Sequence, residues 1–322
     1  MPFSTIDLLI FGGSILLLML YGQWLARKGS QDTAQDYFLA AKSLPWWAVG
    51  GSLIAANISA EQFIGMSGSG FVVGLAIASY ELMAALTLVI VAKYFLPVFL
   101  RNGIYTMPQF LAERYDTRVR TIMAIFWVLL FVLVNITSVL YLGGLALEKT
   151  MGIPMWICVA GLALYSATFS ITGGLRVVVW TEVIQVVLLI AGGLIVTIVV
   201  LQAVGGGFFS GLGMLIEKVP EKFDMILDPS NPEYDKLPGM TVLFGGMWIA
   251  NLYYWGNNQY IIQRALGSKN LKEAQHGAIF ASYLKILLPL IVVIPGIAAF
   301  VLGADLLHAD EAYPWVMNNY VS

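Results

Sequence analysis

Eight stretches of this sequence are each long and apolar enough to cross a lipid bilayer, which takes about 20 residues of helix. They lie near residues 6–26, 45–72, 75–100, 121–147, 153–172, 177–204, 239–264 and 276–303. A chain built this way has few folding options, because every backbone amide in lipid must find its partner inside the chain. Spanning helices meet that demand, so the expected fold class is an all-α membrane protein with a single transmembrane domain over 1–322. Composition agrees: apolar residues make up 59% of the chain, charged residues only 11%, and mean hydropathy is +0.81. A soluble domain carries charge on roughly a quarter of its residues.

The first stretch could pass for a secretion signal. It lacks a positive leading segment, however, and its basic residues Arg27 and Lys28 follow the apolar run. That order predicts a retained helix with its N-terminus outside. The loops after spans one, three, five and seven would then be cytoplasmic. They hold Arg27, Lys28, Lys42, Arg101, Arg114, Arg118, Arg120, Arg176, Arg264, Lys269 and Lys272, against Lys149, Lys218, Lys222 and Lys236 on the outer side. This bias supports both the span count and the orientation, in the cell (inner) membrane. Lys93 falls near a span end and reads as a snorkelling anchor. The longest loop, 205–238, is outer and acid-rich, and is expected to be a solvated connector rather than an amphipathic lid.

Several functions are excluded early. With net charge −2, no basic face offers itself to nucleic acid. No GxxxxGK[ST] loop is present to cradle a nucleotide. His276 and His308 stand far apart without Cys or acid partners at ligand spacing, which argues against a metal site. The single Cys158 lies in an apolar run and reads as a packing residue.

The informative residues are polar groups inside these apolar runs. Span two contains Asn57-Ile58-Ser59-Ala60-Glu61-Gln62 and then Gly65-Met66-Ser67-Gly68-Ser69-Gly70. The glycines and serines suit close helix packing. Asn57, Glu61 and Gln62 do not, and they predict a helix broken near its middle, with freed carbonyls and amides lining a cavity, as in secondary transporters. Span three carries Glu81, either a structural partner for a lysine or a ligand contact. Span four carries Asn135, Thr137 and Ser138, and the hydroxyls can bond back to their own helix. Span six places Glu182 and Gln185 on one face, near the inner boundary, where Glu182 is either wet or buried. Span eight carries Lys285, an intramembrane charge and so a functional candidate.

Span seven is richest, running Asn251-Leu252-Tyr253-Tyr254-Trp255-Gly256-Asn257-Asn258-Gln259-Tyr260. An interfacial aromatic belt explains Tyr260 and Trp255 but not the amides between the rings. Asn251, Tyr254 and Asn258 recur at i, i+3 and i+7, so they are expected to share one helix face. Flat rings edged by amides suit a sugar, with its CH-lined face and its hydroxyls, while sodium needs only oxygen ligands, such as a broken helix supplies.

These residues resemble the sodium/solute symporter family, and within it the bacterial sodium/galactose symporters related to the sodium–glucose cotransporters. The strings that carry the resemblance are Asp36 to Ala40, Asn57 to Gly70, Asn135 to Gly144, Val179 to Gln185 and Asn251 to Arg264. The resemblance implies a five-plus-five inverted-repeat fold worked by alternating access. One extra helix (6–26) would precede a first repeat over 45–204, and 239–303 would be the first two helices of a second. By matching position, it implies sugar contacts at Asn57, Gln62, Glu81, Asn251 and Lys285, with Tyr254 as an inner gate stacking on the sugar. Asn135 and Trp255 would stand at the cavity margin. Sodium would take the backbone carbonyls of Ala55 and Ile58, and Glu182 is a candidate coupling acid.

Two departures accompany the resemblance. The galactose symporters place a serine where this chain has Ala84, which leaves the hexose open. The helix whose hydroxyls complete the family's sodium site would lie beyond Ser322, so the sequence reads as a fragment of a longer transporter. The expected function is sodium-coupled import of a hexose such as galactose or glucose, with sodium, sugar and membrane lipid as partners. The alternatives are a sodium symporter for another small solute (an amino acid, carboxylate or amine) and a non-transporting membrane sensor. An enzyme would need a nucleophile–base pair, which this sequence does not display.

Overall fold

The computed structural model describes residues 5–28, 33–58, 61–237 and 239–321. Helices dominate, and the described residues contain no strand beyond an isolated bridge between Leu44 and Ser268. Helix α1 (Thr5–Lys28) forms span one. A short α2 (Ala34–Leu39) follows, opened by a capping box in which Thr33 and Asp36 satisfy each other's backbone amides.

Span two is broken, as its polar residues predict. Helix α3 (Trp46–Asn57) stops where Ile58 turns extended, at φ −78 and ψ 95. The chain resumes in a π-helical turn, Glu61–Gly65, and in α4 (Met66–Val72). Ser59 and Ala60 of the expected break lie outside the described residues. Glu273 caps the start of α3, accepting the Trp46 amide at 2.6 Å.

Span three comprises α5 (Ser79–Ile90), a π turn and α6 (Leu96–Arg101), with α7 (Met107–Arg114) in the following loop. Span four joins α8 (Thr117–Leu130) to α9 (Thr137–Met151) through a π turn at Phe131–Ile136. Spans five and six run together as α10 (Met155–Gly205), bent at Gly174. Gly174 has φ +56, and a Cβ there would lie 2.7 Å from the Tyr37 carbonyl, so both the bend and the approach of α2 require glycine.

The loop 205–238 corrects the expectation of a solvated connector. It opens with α11 (Phe208–Lys218), whose Leu215 is fully buried. Further on, Lys222 donates from Nζ to the carbonyls of Phe71 (2.8 Å) and Val72 (2.9 Å), and its ammonium sits 4.1 Å from the centre of the Phe300 ring. The last carbonyls of a helix lack intrahelical partners, and the loop supplies them for α4. A sequence rich in both acids and apolar residues fits a solvated loop or a docked one, and only the packing decides.

Span seven is also broken, into α12 (Gly239–Phe244), α13 (Gly246–Gly256) and α14 (Gln259–Leu266). Span eight is the unbroken α15 (Leu271–Val301), followed by α16 (Ala312–Val316). Among the described residues, five helical runs are long and apolar enough to cross a membrane: Ile6–Arg27, Leu75–Arg101, Thr117–Lys149, Gly174–Gly205 and Leu271–Val301. Two of the other three expected spans are the broken ones, and the third is the shorter apolar run Met155–Thr168.

Helix α15 is the hub. In its most apolar stretch 67% of residues are buried, against 6% for 117–149, and it packs on α3, α4, α5 and α10. Backbones approach closely there: a Cβ on Gly296 would fall 2.0 Å from the Ser67 carbonyl. Small residues permit this contact, which in lipid is driven by packing rather than by water exclusion.

Candidate functional site

The break in span two lies against α15 and α5, and the polar side chains of all three meet there. Lys285, on the face of α15 turned to the bundle interior, is 1% exposed. A lone ammonium at that depth would be prohibitively costly, so partners must hold it. Its Nζ stands 2.5 Å from Oε2 of Glu81 on α5 and also donates to Oδ1 of Asn57, at the end of α3. Gln62 Nε2, from the π turn beyond the break, donates to the other Glu81 oxygen. The Asn57 amide donates to Tyr254 Oη at 3.1 Å, and that hydroxyl shares a hydrogen bond with Tyr260 Oη at 2.8 Å. One network thus links Gln62, Glu81, Lys285, Asn57, Tyr254 and Tyr260. Fully satisfied networks of this kind fix a single arrangement.

The network borders a cavity of about 480 Å³, to which Asn251 and Trp255 also contribute. The Trp255 ring centre lies 5.3 Å from Lys285 Nζ. Asn251 hydrogen-bonds the Met247 carbonyl at 3.1 Å. A second, mostly apolar cavity of about 630 Å³ adjoins it, sharing Tyr80, Asn251 and Tyr254. Both volumes fall in the range of small-molecule sites.

Other expected site residues lie elsewhere. Asn135 sits half-buried on the π turn between α8 and α9 and lines neither cavity. Ala55 is in the last turn of α3 and Ile58 just past it, where carbonyls leave the helical ladder. Glu182 is partly buried, with its side chain 14% exposed, and its carboxylate takes Ser52 Oγ and a two-pronged contact from Arg264, at 2.5 and 3.2 Å. This corrects Arg264 as a loop cation, since it is 7% exposed inside the bundle. Asn258 is a further correction. Helix α13 ends at Gly256 and Asn258 has φ −75 and ψ 120 before α14, so it does not share a helix face with Asn251 and Tyr254. Tyr260, expected in an interfacial belt, belongs instead to the network. The amides at 257–258 beside Gly256 were the available signal for a second break.

A helical bundle that gathers amides and one ion pair around a cavity, beside two broken helices, has the architecture of a secondary transporter. The sequence model of the sodium:solute symporter family matches residues 37–317. The chain is 53% identical over 334 aligned positions to the sodium/glucose cotransporter of Vibrio parahaemolyticus, covering 97% of this chain and 62% of that protein. It is 37% identical to the uncharacterized symporter YidK of Escherichia coli, covering 98% and 56%, and 31% identical to human sodium/myo-inositol cotransporter 2, covering 91% and 46%. The solved structure of a Na+-coupled sialic acid symporter, in a substrate-bound outward-open state, superposes with a TM-score of 0.87 at 23% identity, over 98% of this chain and 67% of that one. The chain belongs to the sodium:solute symporter family, has the inverted-repeat helical transporter fold and is a multi-pass membrane protein. It spans between about half and three-fifths of the length of these curated relatives.

Proposed function

We propose that the protein imports a neutral hexose such as galactose or glucose, driven by sodium, by alternating access in the cell (inner) membrane with its N-terminus outside. The observation that carries this reading is the Gln62–Glu81–Lys285–Asn57 network beside the break in span two. The charges of Lys285 and Glu81 cancel, so this network offers a solute donors and acceptors rather than a net charge. A hexose presents a ring of hydroxyls that can trade places with these internal bonds, one donor for another. Asn57, Gln62, Glu81, Asn251 and Lys285 contact the hydroxyls, and Tyr254 covers the sugar's flat face while closing the inner exit. Sodium, a hard cation that takes oxygen ligands, binds the carbonyls of Ala55 and Ile58 at the end of α3. Glu182, held by Arg264 and Ser52, is the candidate coupling acid. Sodium and sugar together shift the population between outward- and inward-facing states. The names of the relatives, a sodium/glucose and a sodium/myo-inositol cotransporter among them, support a polyhydroxylated solute.

The test is uptake of labelled galactose and glucose by proteoliposomes carrying the complete gene product, with and without an inward sodium gradient. Proline, choline and pantothenate serve as competitors. Sodium-dependent hexose accumulation that these competitors leave intact is the expected result. Accumulation of one of those solutes in place of hexose would move the protein to another substrate within the same family.

A further inference from the structure

The cavity has one charge that its network does not neutralise. Lys285 and Glu81 cancel each other, but Asp310, on the turn Ala309–Glu311 between α15 and α16, lines the same cavity. Its carboxylate makes no hydrogen bond or ion pair among the described residues. It is half-buried, and the other carboxylate of the turn, Glu311, is engaged with Lys149 of α9 at 2.7 Å.

The turn is built into position. A Cβ on Gly68 of α4 would lie 2.9 Å from the Ala309 carbonyl and 3.0 Å from the Asp310 nitrogen, so the turn rests directly on that helix. The Tyr313 ring meets Phe63 edge-on at 5.1 Å, anchoring the chain just beyond. Gly68 stands six residues along from Gln62, about 9 Å of helix. Asp310 thus joins the lining of this cavity from the turn held on Gly68, and Ser69, the next residue of α4, lines it too. Burial raises the Asp310 carboxyl above its ordinary value, while nearby His308 pulls it back down. A half-buried carboxylate with no donor among the described residues gains from a solute that brings O–H groups and is penalised by one that brings a second negative charge.

We propose that Asp310 is a solute-selecting residue of this cavity, accepting a hydroxyl of a neutral polyol and turning away solutes that carry a carboxylate. The proposal rests on the reading of this cavity as the solute site and adds its charge rule. Neutral sugars and polyols are admitted, and their acid derivatives are excluded.

The experiment compares wild type, Asp310→Asn and Asp310→Ala in the complete gene product, using inhibition of labelled hexose uptake by unlabelled hexose and by its uronate. Asp310→Asn should narrow the preference for hexose over uronate about tenfold, and Asp310→Ala should raise the hexose KM roughly threefold to tenfold. A preference and KM unchanged in both variants would overturn the proposal. A second readout does not depend on the solute. Ser69→Cys in an otherwise cysteine-free background is labelled with cationic and anionic methanethiosulfonate reagents. Asp310 should favour the cation, and adding Asp310→Asn should cut the rate ratio about fivefold. An unchanged ratio overturns the proposal, and a changed ratio in a protein that accumulates no hexose upholds it while defeating the hexose reading.

Discussion

Lys285 on α15 and Glu81 on α5 stand 204 residues apart in sequence, yet their Nζ and Oε2 lie 2.5 Å apart with both side chains almost fully buried. Neither charge could occupy that position alone. Together, with Asn57 and Gln62 filling their remaining bonding positions, they let two apolar spans meet around a polar cavity. Under the proposed function, the same bonds are the ones a hydroxylated solute replaces.

Removing one partner should therefore hurt more than removing both. Lys285→Ala leaves Glu81 buried and uncompensated, at a cost of about 3–5 kcal/mol, whereas replacing both charges with neutral groups of similar size is often tolerated. Thermal melting of the purified protein should show Lys285→Ala well below wild type and Lys285→Met/Glu81→Gln recovering much of the loss. A single variant as stable as wild type would mean the pair is not needed for the fold.

The contact between α4 and α15 makes a separate demand. A methyl group on Gly296 would sit 2.0 Å from the Ser67 carbonyl, and backbone cannot yield as a flexible side chain can. Overpacking of this kind costs typically about 1–3 kcal/mol. Gly296→Ala should lower both the melting temperature and the folded yield, while Gly161→Ala, with nothing within 4 Å, should not. Equal behaviour of the two variants would show that the helices separate at little cost.

How far the sequence could be read depended on whether a residue's environment is local. The break in span two was legible because Asn57 and Gln62 cannot face lipid on any intact helix, and Lys285 declared itself as a charge deep in an apolar run. Asn258 leaves the face of Asn251 and Tyr254 because span seven breaks after Gly256, and periodicity alone does not mark that break. Arg264 looks like a loop cation in the sequence because its partner Glu182 is 82 residues away, and that pairing exists only once α10 and α14 are packed. Asp310 gave no signal at all, since an acid in a short polar turn looks solvated until the turn is seen resting on Gly68. The docked loop around Lys222 was ambiguous for the same reason.

Lys222 also gives a pH dependence. Burial lowers its ammonium pKa below the ordinary lysine value of 10.5. Between the lowered folded value and 10.5, the unfolded chain binds more protons than the folded one, so stability at this residue rises with pH. The neutral amine still has hydrogens to donate to the Phe71 and Val72 carbonyls. The melting-temperature gap between wild type and Lys222→Met should accordingly widen as pH is raised from neutral toward 10. A gap that narrows over that range would show that the charge, and not the hydrogen bonds, holds the loop on α4.

Tyr254 joins the break in span two to the break in span seven, and two substitutions separate its contributions. Its hydroxyl bonds Asn57 at 3.1 Å and Tyr260 at 2.8 Å, while its ring meets Trp255 and Tyr260 edge-on, with centres 5.1 and 6.1 Å away. Tyr254→Phe keeps the ring and removes only the hydroxyl, a net loss of about 0.5–1.5 kcal/mol per hydrogen bond. Solute affinity should then fall severalfold, with transport retained. Tyr254→Ala removes the ring as well and opens a gap between the cavity and α14, so transport should fall far more steeply than with Phe. Initial uptake rates and solute affinity in proteoliposomes separate the two effects. If Phe and Ala were equally damaging, the hydroxyl's link to Asn57 would be the essential feature and the ring would not be acting as a cover.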